Sequence, residues 1–150
     1  MTKLISASLL LLSLNACIKR EKMDSSVNPN AKTETGGNVI IVKETLKTGE
    51  FKGFDHSLKG KTSVVKDSTG NIILSLEDYT MTSGPDVDVF LSKSSAYSSS
   101  NVIKIAHLPN DYVNATVNID IDDKTDLASY KYVLIWCTKF SVSFGYAELK

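Results

Sequence analysis

The chain has 150 residues, with 17 basic and 17 acidic side chains and a formal net charge of +0. That length holds one ordinary domain and an export segment, not two domains. With no basic stripe, the chain lacks the footprint of a nucleic-acid binder, and no nucleic-acid partner is expected.

Residues 1–16 read as a lipoprotein signal peptide. Lys3 supplies the positive start, and Leu4 to Leu14 is an apolar run interrupted only by Ser and Ala. An apolar stretch of about 10 residues is too short to cross a bilayer core of about 30 Å as a helix. Leu14-Asn15-Ala16-Cys17 then resembles a bacterial lipobox, which implies cleavage before Cys17 and acylation of that cysteine, with palmitate as one such acyl group. Acyl chains worth about 0.8 kcal/mol per buried CH₂ anchor a protein stably when several are attached. The membrane is thus an expected partner, through Cys17, and the location is the bacterial cell envelope. Ile18, where an inner-membrane retention signal would carry Asp, points to the outer membrane. The competing reading is an ordinary cleaved signal followed by an incidental cysteine. Cleavage would remove Lys3 alone among charged residues, giving a net charge of −1.

Residues 17–38 are the tether. From residue 18 they are Lys, Glu, Ser, Asn, Thr and Gly with hardly a large apolar side chain, ending near Gly36-Gly37. Such a segment cannot bury enough surface to offset its ordering entropy.

Residues 39–150 form the domain, and their pattern has period two. Apolar runs predict strands at Val39–Val42, Thr62–Lys66, Ile72–Leu76, Val87–Leu91 and Val102–Leu108. Val117, Ile119 and Ile121 alternate with Asn118, Asp120 and Asp122, one face of a further strand. Tyr132, Leu134 and Trp136 line one face and Val133, Ile135 and Cys137 the other, so that strand is expected to be buried on both sides. Phe140, Val142, Phe144 and Tyr146 alternate in a last strand, reached by a two-residue connection, Thr138-Lys139. Turn chemistry separates the runs at Ser68-Thr69-Gly70-Asn71, Ser83-Gly84-Pro85-Asp86 and Pro109-Asn110-Asp111. No window carries an amphipathic helical stripe. The expected fold is all-β, an antiparallel sandwich of about eight strands, immunoglobulin-like or DOMON-like.

Catalytic motifs are absent: no Gly-x-Ser-x-Gly, no phosphate loop and no His-Glu-x-x-His. His107 falls in a strand pattern with no evident acid or nucleophile beside it. An enzyme is the least favoured class. Asp120, Asp122, Asp123 and Asp126 cluster, but the glycine and terminal glutamate of a calcium loop are missing, and a solvated strand end explains them. Gly84-Pro85-Asp86 is read first as a turn, with an unusual φ at Gly84 and Asp86 capping backbone amides.

Several motifs occur in a particular order: Gly49-Glu50-Phe51, Asp55-His56 with Gly60, Gly84-Pro85-Asp86 leading to Val89 and Leu91, and Tyr132-Val133-Leu134-Ile135-Trp136-Cys137 with Phe140, Phe144-Gly145, Ala147 and Leu149. This order resembles the DM-thirteen domain, a DOMON-related β-sandwich family labelled as an electron-transfer module, over about residues 45–149. Leu108-Pro109-Asn110-Asp111-Tyr112 departs from it, where such domains tend to show a glycine and Gln-Tyr.

The resemblance implies a redox role centred on Cys137 and a redox partner protein. Once Cys17 is lipidated, Cys137 is the lone free thiol of the mature chain. The competing reading makes Cys137 a small buried hydrophobe beside Trp136. His56 is a candidate metal or haem ligand through its imidazole, with Met81 a soft third ligand beside a His–Cys pair, which would suit copper or iron. A solvated loop histidine is the alternative. No Cys-x-x-Cys-His motif exists, which excludes covalent haem. A non-catalytic carbohydrate- or protein-binding module, using the loops at one end of the sandwich, is the second function class.

Overall fold

The computed structural model describes residues 40–54 and 56–150. The signal peptide, Cys17, the tether and Asp55 lie outside the described residues.

Eight strands are formed: β1 Val42–Gly53, β2 Lys59–Asp67, β3 Ile72–Met81, β4 Val87–Ser92, β5 Val102–His107, β6 Tyr112–Ile121, β7 Tyr132–Cys137 and β8 Val142–Glu148. The one helical element among the described residues is a 3₁₀ turn at Leu127–Ser129. All pairs are antiparallel, in the order β5-β4-β7-β8-β1-β2-β3-β6. The all-β expectation holds, and the sheet curls into a sandwich-like form. Strand β1 is the joint: its first part pairs with β2, and Phe51, Lys52 and Gly53 pair with Ala147, Tyr146 and Gly145 of β8. The outer strands β5 and β6 approach each other across the curl.

The core follows the period-two pattern. Ala115, Val117, Ile119 and Ile121 of β6 face it, as do Val64, Leu74 and Leu76 from β2 and β3. On β7, Val133, Ile135 and Cys137 point inward and Leu134 is buried on the opposite face. Strand β4 is also buried on both faces. Val87, Val89 and Leu91 enter the core, while the loop after β4 folds back so that Tyr97 meets the Phe90 ring edge-on and stacks on Trp136 at 4.3 Å.

Two strands differ from expectation, both because bulges break the alternation. The first strand spans Val42–Gly53 rather than residues 39–42, with register shifts between Val42 and Glu44 and between Thr45 and Lys47. Its side chains are mostly exposed, so it leaves no apolar stripe to read; backbone ladders hold it. The last strand begins at Val142, and a four-residue turn over 138–141 replaces the two-residue connection. Ser141 takes a φ of 53° there, and Phe140 projects into solvent. A bulge then switches faces along β8. Phe144 is in the core, but so are Ala147 and Leu149, an odd number of residues on, while Tyr146 packs outside against Tyr132 and Phe54. Gly145 sits at this switch with a φ of 154°, and a Cβ there would collide with the Lys52 carbonyl and press on Leu58 Cδ2 at 2.7 Å. Glycine alone fits.

The expected turns are present. The Asp67 carboxylate accepts hydrogen bonds from the backbone N–H groups of Thr69 and Asn71, both at the β2–β3 turn, with Gly70 at a φ of 96°. Asp122 and Asp126 of the acidic cluster are used locally: Asp122 accepts from the Lys124 N–H and Asp126 caps the 3₁₀ turn.

Candidate functional site at the loop end

Antiparallel alternation gathers four connections at one end of the sheet: residues 54–58, 82–86, 108–111 and 138–141. His56, Gly84, Pro85 and Asp86 lie in these connections; Cys137 and His107 are the last residues of β7 and β5. This end therefore collects most of the chemistry-bearing residues of the domain.

Cys137 ends β7 opposite Val87 and Val142, and it is 0 % exposed. Gly84 covers it. A Cβ on Gly84 would stand 3.8 Å from Cys137 Sγ, 3.1 Å from Phe144 Cζ and 2.9 Å from Val87 Cγ2. The glycine is thus required by close approach, not by an unusual φ: Gly60, Gly70 and Gly145 have positive φ among the described glycines, and Gly84 does not. The cover is tied down by the Thr138 N–H, which donates to the Asp86 carbonyl at 2.8 Å, and by the Ser83 N–H, which donates to Asp111 Oδ1 at 2.5 Å.

His56 is exposed, and its ring stacks on Phe144 with centroids 3.7 Å apart and planes 15° from parallel. Phe144 Cζ in turn flanks Gly84, 3.1 Å from where a Cβ on that glycine would stand. His56 and Cys137 thus share this loop end, with Phe144 stacked on His56 and both Phe144 and Cys137 flanking Gly84. Met81 goes elsewhere. Its side chain is buried among Tyr79 and Tyr112, and Tyr79 O–H donates to Met81 Sδ at 3.1 Å. Burial, with the neighbouring Tyr112 adding to it, holds the Tyr79 phenol above its ordinary pKa, so it serves as a neutral donor. Trp136 is half-buried on the outer face beneath Tyr97.

Sequence reasoning missed a polar cluster on that outer face. His107 does have acidic partners. Its Nδ1 is 2.9 Å from Asp88 Oδ1 and 3.7 Å from Asp86 Oδ1. Lys104 Nζ lies 2.7 Å from Asp88 Oδ1, and Thr138 Oγ1 donates to Asp88 Oδ2 at 2.8 Å. The Asp88 side chain is only 3 % exposed. Burial works against its charge, but the hydrogen bonds from Lys104, His107 and Thr138, with the Lys104 charge, outweigh it and hold the carboxyl below the usual aspartate range. The Asp86 carboxylate faces His107 rather than capping amides. One signal was available: Asp88 interrupts the apolar run Val87–Leu91, and a charge in a doubly buried strand needs partners.

Among the described residues, no helix is long and apolar enough to cross a membrane. A protein-family model described as Electron transfer DM13 matches residues 50–149 of this chain. No curated protein and no solved structure matches it.

Proposed function

The chain belongs to the Electron transfer DM13 family, and on that premise we propose that it is an envelope-anchored electron-transfer module whose redox group is the Cys137 thiol. Lipidation at Cys17 holds it to the membrane, and the loop end of the domain meets a redox partner protein.

The observation that carries this reading is the placement of the sulfur. It is fully buried beside Gly84, at the end of the domain where the loops converge, and Phe144, which stacks on exposed His56, flanks the same glycine. Thiol–disulfide exchange needs direct approach of one sulfur to another, and the Gly84 cover prevents that at rest. Exchange therefore waits on the Gly84 turn moving aside. The Cys137 thiolate then displaces one sulfur of a partner disulfide, which leaves as a thiolate and takes up the proton, so the partner disulfide is reduced as Cys137 enters a mixed disulfide. The tether joins the domain at the start of β1, the opposite end of the sheet, which leaves the loop end free to face a partner.

One observation favours a second reading, a non-catalytic binding module. Phe54, Val113, Phe140 and Val142 are exposed apolar side chains at or beside the same loops, a surface suited to a protein partner. The purified chain separates the two when it is scanned for visible absorption, assayed for bound iron and copper, and treated with a thiol reagent before and after denaturation. A redox-active protein whose activity disappears in Cys137→Ala supports the electron-transfer reading. A colourless, metal-free and redox-silent protein that still captures a partner through Phe140 overturns it. For the anchor, incorporation of a fatty-acid label that Cys17→Ser abolishes is expected; unchanged labelling in that variant contradicts it.

A further inference from the structure

We infer that Asp86, Asp88 and His107 form a binding site for a divalent first-row transition-metal ion on the outer face of the β4–β5 edge. Their ligand atoms, one from each residue, all lie within 4.8 Å of one another. Imidazole and carboxylate together are the donor set that zinc, copper and iron accept.

Each donor is set in place by the fold. Asp88 and His107 are cross-strand partners in the β4–β5 register, so their side chains share a face. Thr138 Oγ1 holds Asp88 Oδ2, which leaves Oδ1 directed at His107. The Asp86 backbone is fixed by the Thr138 N–H. Outer hydrogen bonds of this kind are what orient metal ligands. Donors on strands and a clamped turn hold their geometry better than donors on free loops.

Charge supports a cation here. Two carboxylates, those of Asp86 and Asp88, converge here with one lysine ammonium beside the imidazole of His107. Lys104 is half exposed, so its flexible stem can carry the ammonium into water when a dication takes its place. His107 then binds through Nδ1, the atom that faces both carboxylates, with Nε2 carrying the ring proton. The Asp86 and His107 side chains are both partly exposed. Water or a small anion has room to complete the coordination.

A purely structural ion-pair cluster and a metal site make opposite predictions for Lys104. In the structural case Lys104→Gln only destabilises the fold. At a metal site the same change removes the competing cation and tightens binding.

The test is titration of the chelator-treated full chain with Zn²⁺ by calorimetry and with Cu²⁺ by electron paramagnetic resonance. One ion per chain is expected, with the hyperfine pattern of a single imidazole nitrogen. Asp86→Asn and His107→Gln should each weaken binding at least about tenfold, and Lys104→Gln should tighten it by at least about threefold. His56→Gln and Cys137→Ala should leave it unchanged, which keeps this result separate from the fate of the thiol proposal. Absence of stoichiometric binding, loss of binding in His56→Gln with retention in His107→Gln, or a Lys104→Gln variant that binds no more tightly would each overturn the inference.

Discussion

Asp88 Oδ1 and His107 Nδ1 stand 2.9 Å apart across the β4–β5 ladder, on a carboxylate that the fold almost completely withdraws from water. A carboxylate so placed depends on its partners. Removing Lys104 leaves the charge of Asp88 less compensated, so Lys104→Met is expected to cost about 1–3 kcal/mol. An exposed lysine ion pair would cost about 0–1 kcal/mol. Denaturant unfolding measures the difference.

The same site sets an acid limit. Asp88 titrates below its unfolded value, which lies near the ordinary 3.8. Its contribution to stability is therefore complete above the unfolded pKa and is lost as pH falls through the lower folded pKa. The stability gap between the parent and Asp88→Asn should shrink as pH falls below about 4. Unfolding curves across that range give the gap directly, and one that widened on acidification would reverse the sign.

Gly84 is packed against Val87, Phe144 and Cys137, so Gly84→Ala must push the cover outward. Overpacking of this kind costs about 1–3 kcal/mol. The thiol should react faster with a small maleimide in the variant than in the parent, where the cover is closed. Equal rates would show that Gly84 does not gate the sulfur.

The packing role of Cys137 is measured by comparing two replacements. Cys137→Ser buries an unpaired hydroxyl and is expected to cost about 1–3 kcal/mol. Cys137→Ala leaves a small void and should cost less. Loss of the parent's redox behaviour in both, with an intact fold in Cys137→Ala, assigns chemistry to the sulfur beyond packing.

Trp136 is the single tryptophan of the chain and stacks under Tyr97, so it reports on the outer layer. Tyr97→Ala should shift its emission to longer wavelength and destabilise the fold by about 1–3 kcal/mol, through lost aromatic burial. An unchanged spectrum would mean the loop after β4 does not cover that face.

The strands whose apolar residues alternate were legible from sequence. β6, with Val117, Ile119 and Ile121 inward, and β7, buried on both faces, match their patterns. β1 was barely legible because a strand with mostly exposed side chains, interrupted by bulges, leaves no period. The bulge at Gly145 likewise shifts Phe144 and Tyr146 to opposite faces, although their spacing suggests one. At the site, the family motifs singled out Gly84 and Cys137, which the structure places together. The pairing of His107 with Asp88 escaped notice because they are 19 residues apart, and only the β4–β5 register brings them into contact.

The most direct measurement for the central claim is exchange with a small aromatic disulfide by the lipidated full chain and by its Cys137→Ala variant, each shown to be folded by circular dichroism. The account predicts that the parent releases one equivalent of aromatic thiolate and Cys137→Ala releases none. Equal release from both proteins, or none from either, would contradict the assignment of redox chemistry to the sulfur beside Gly84.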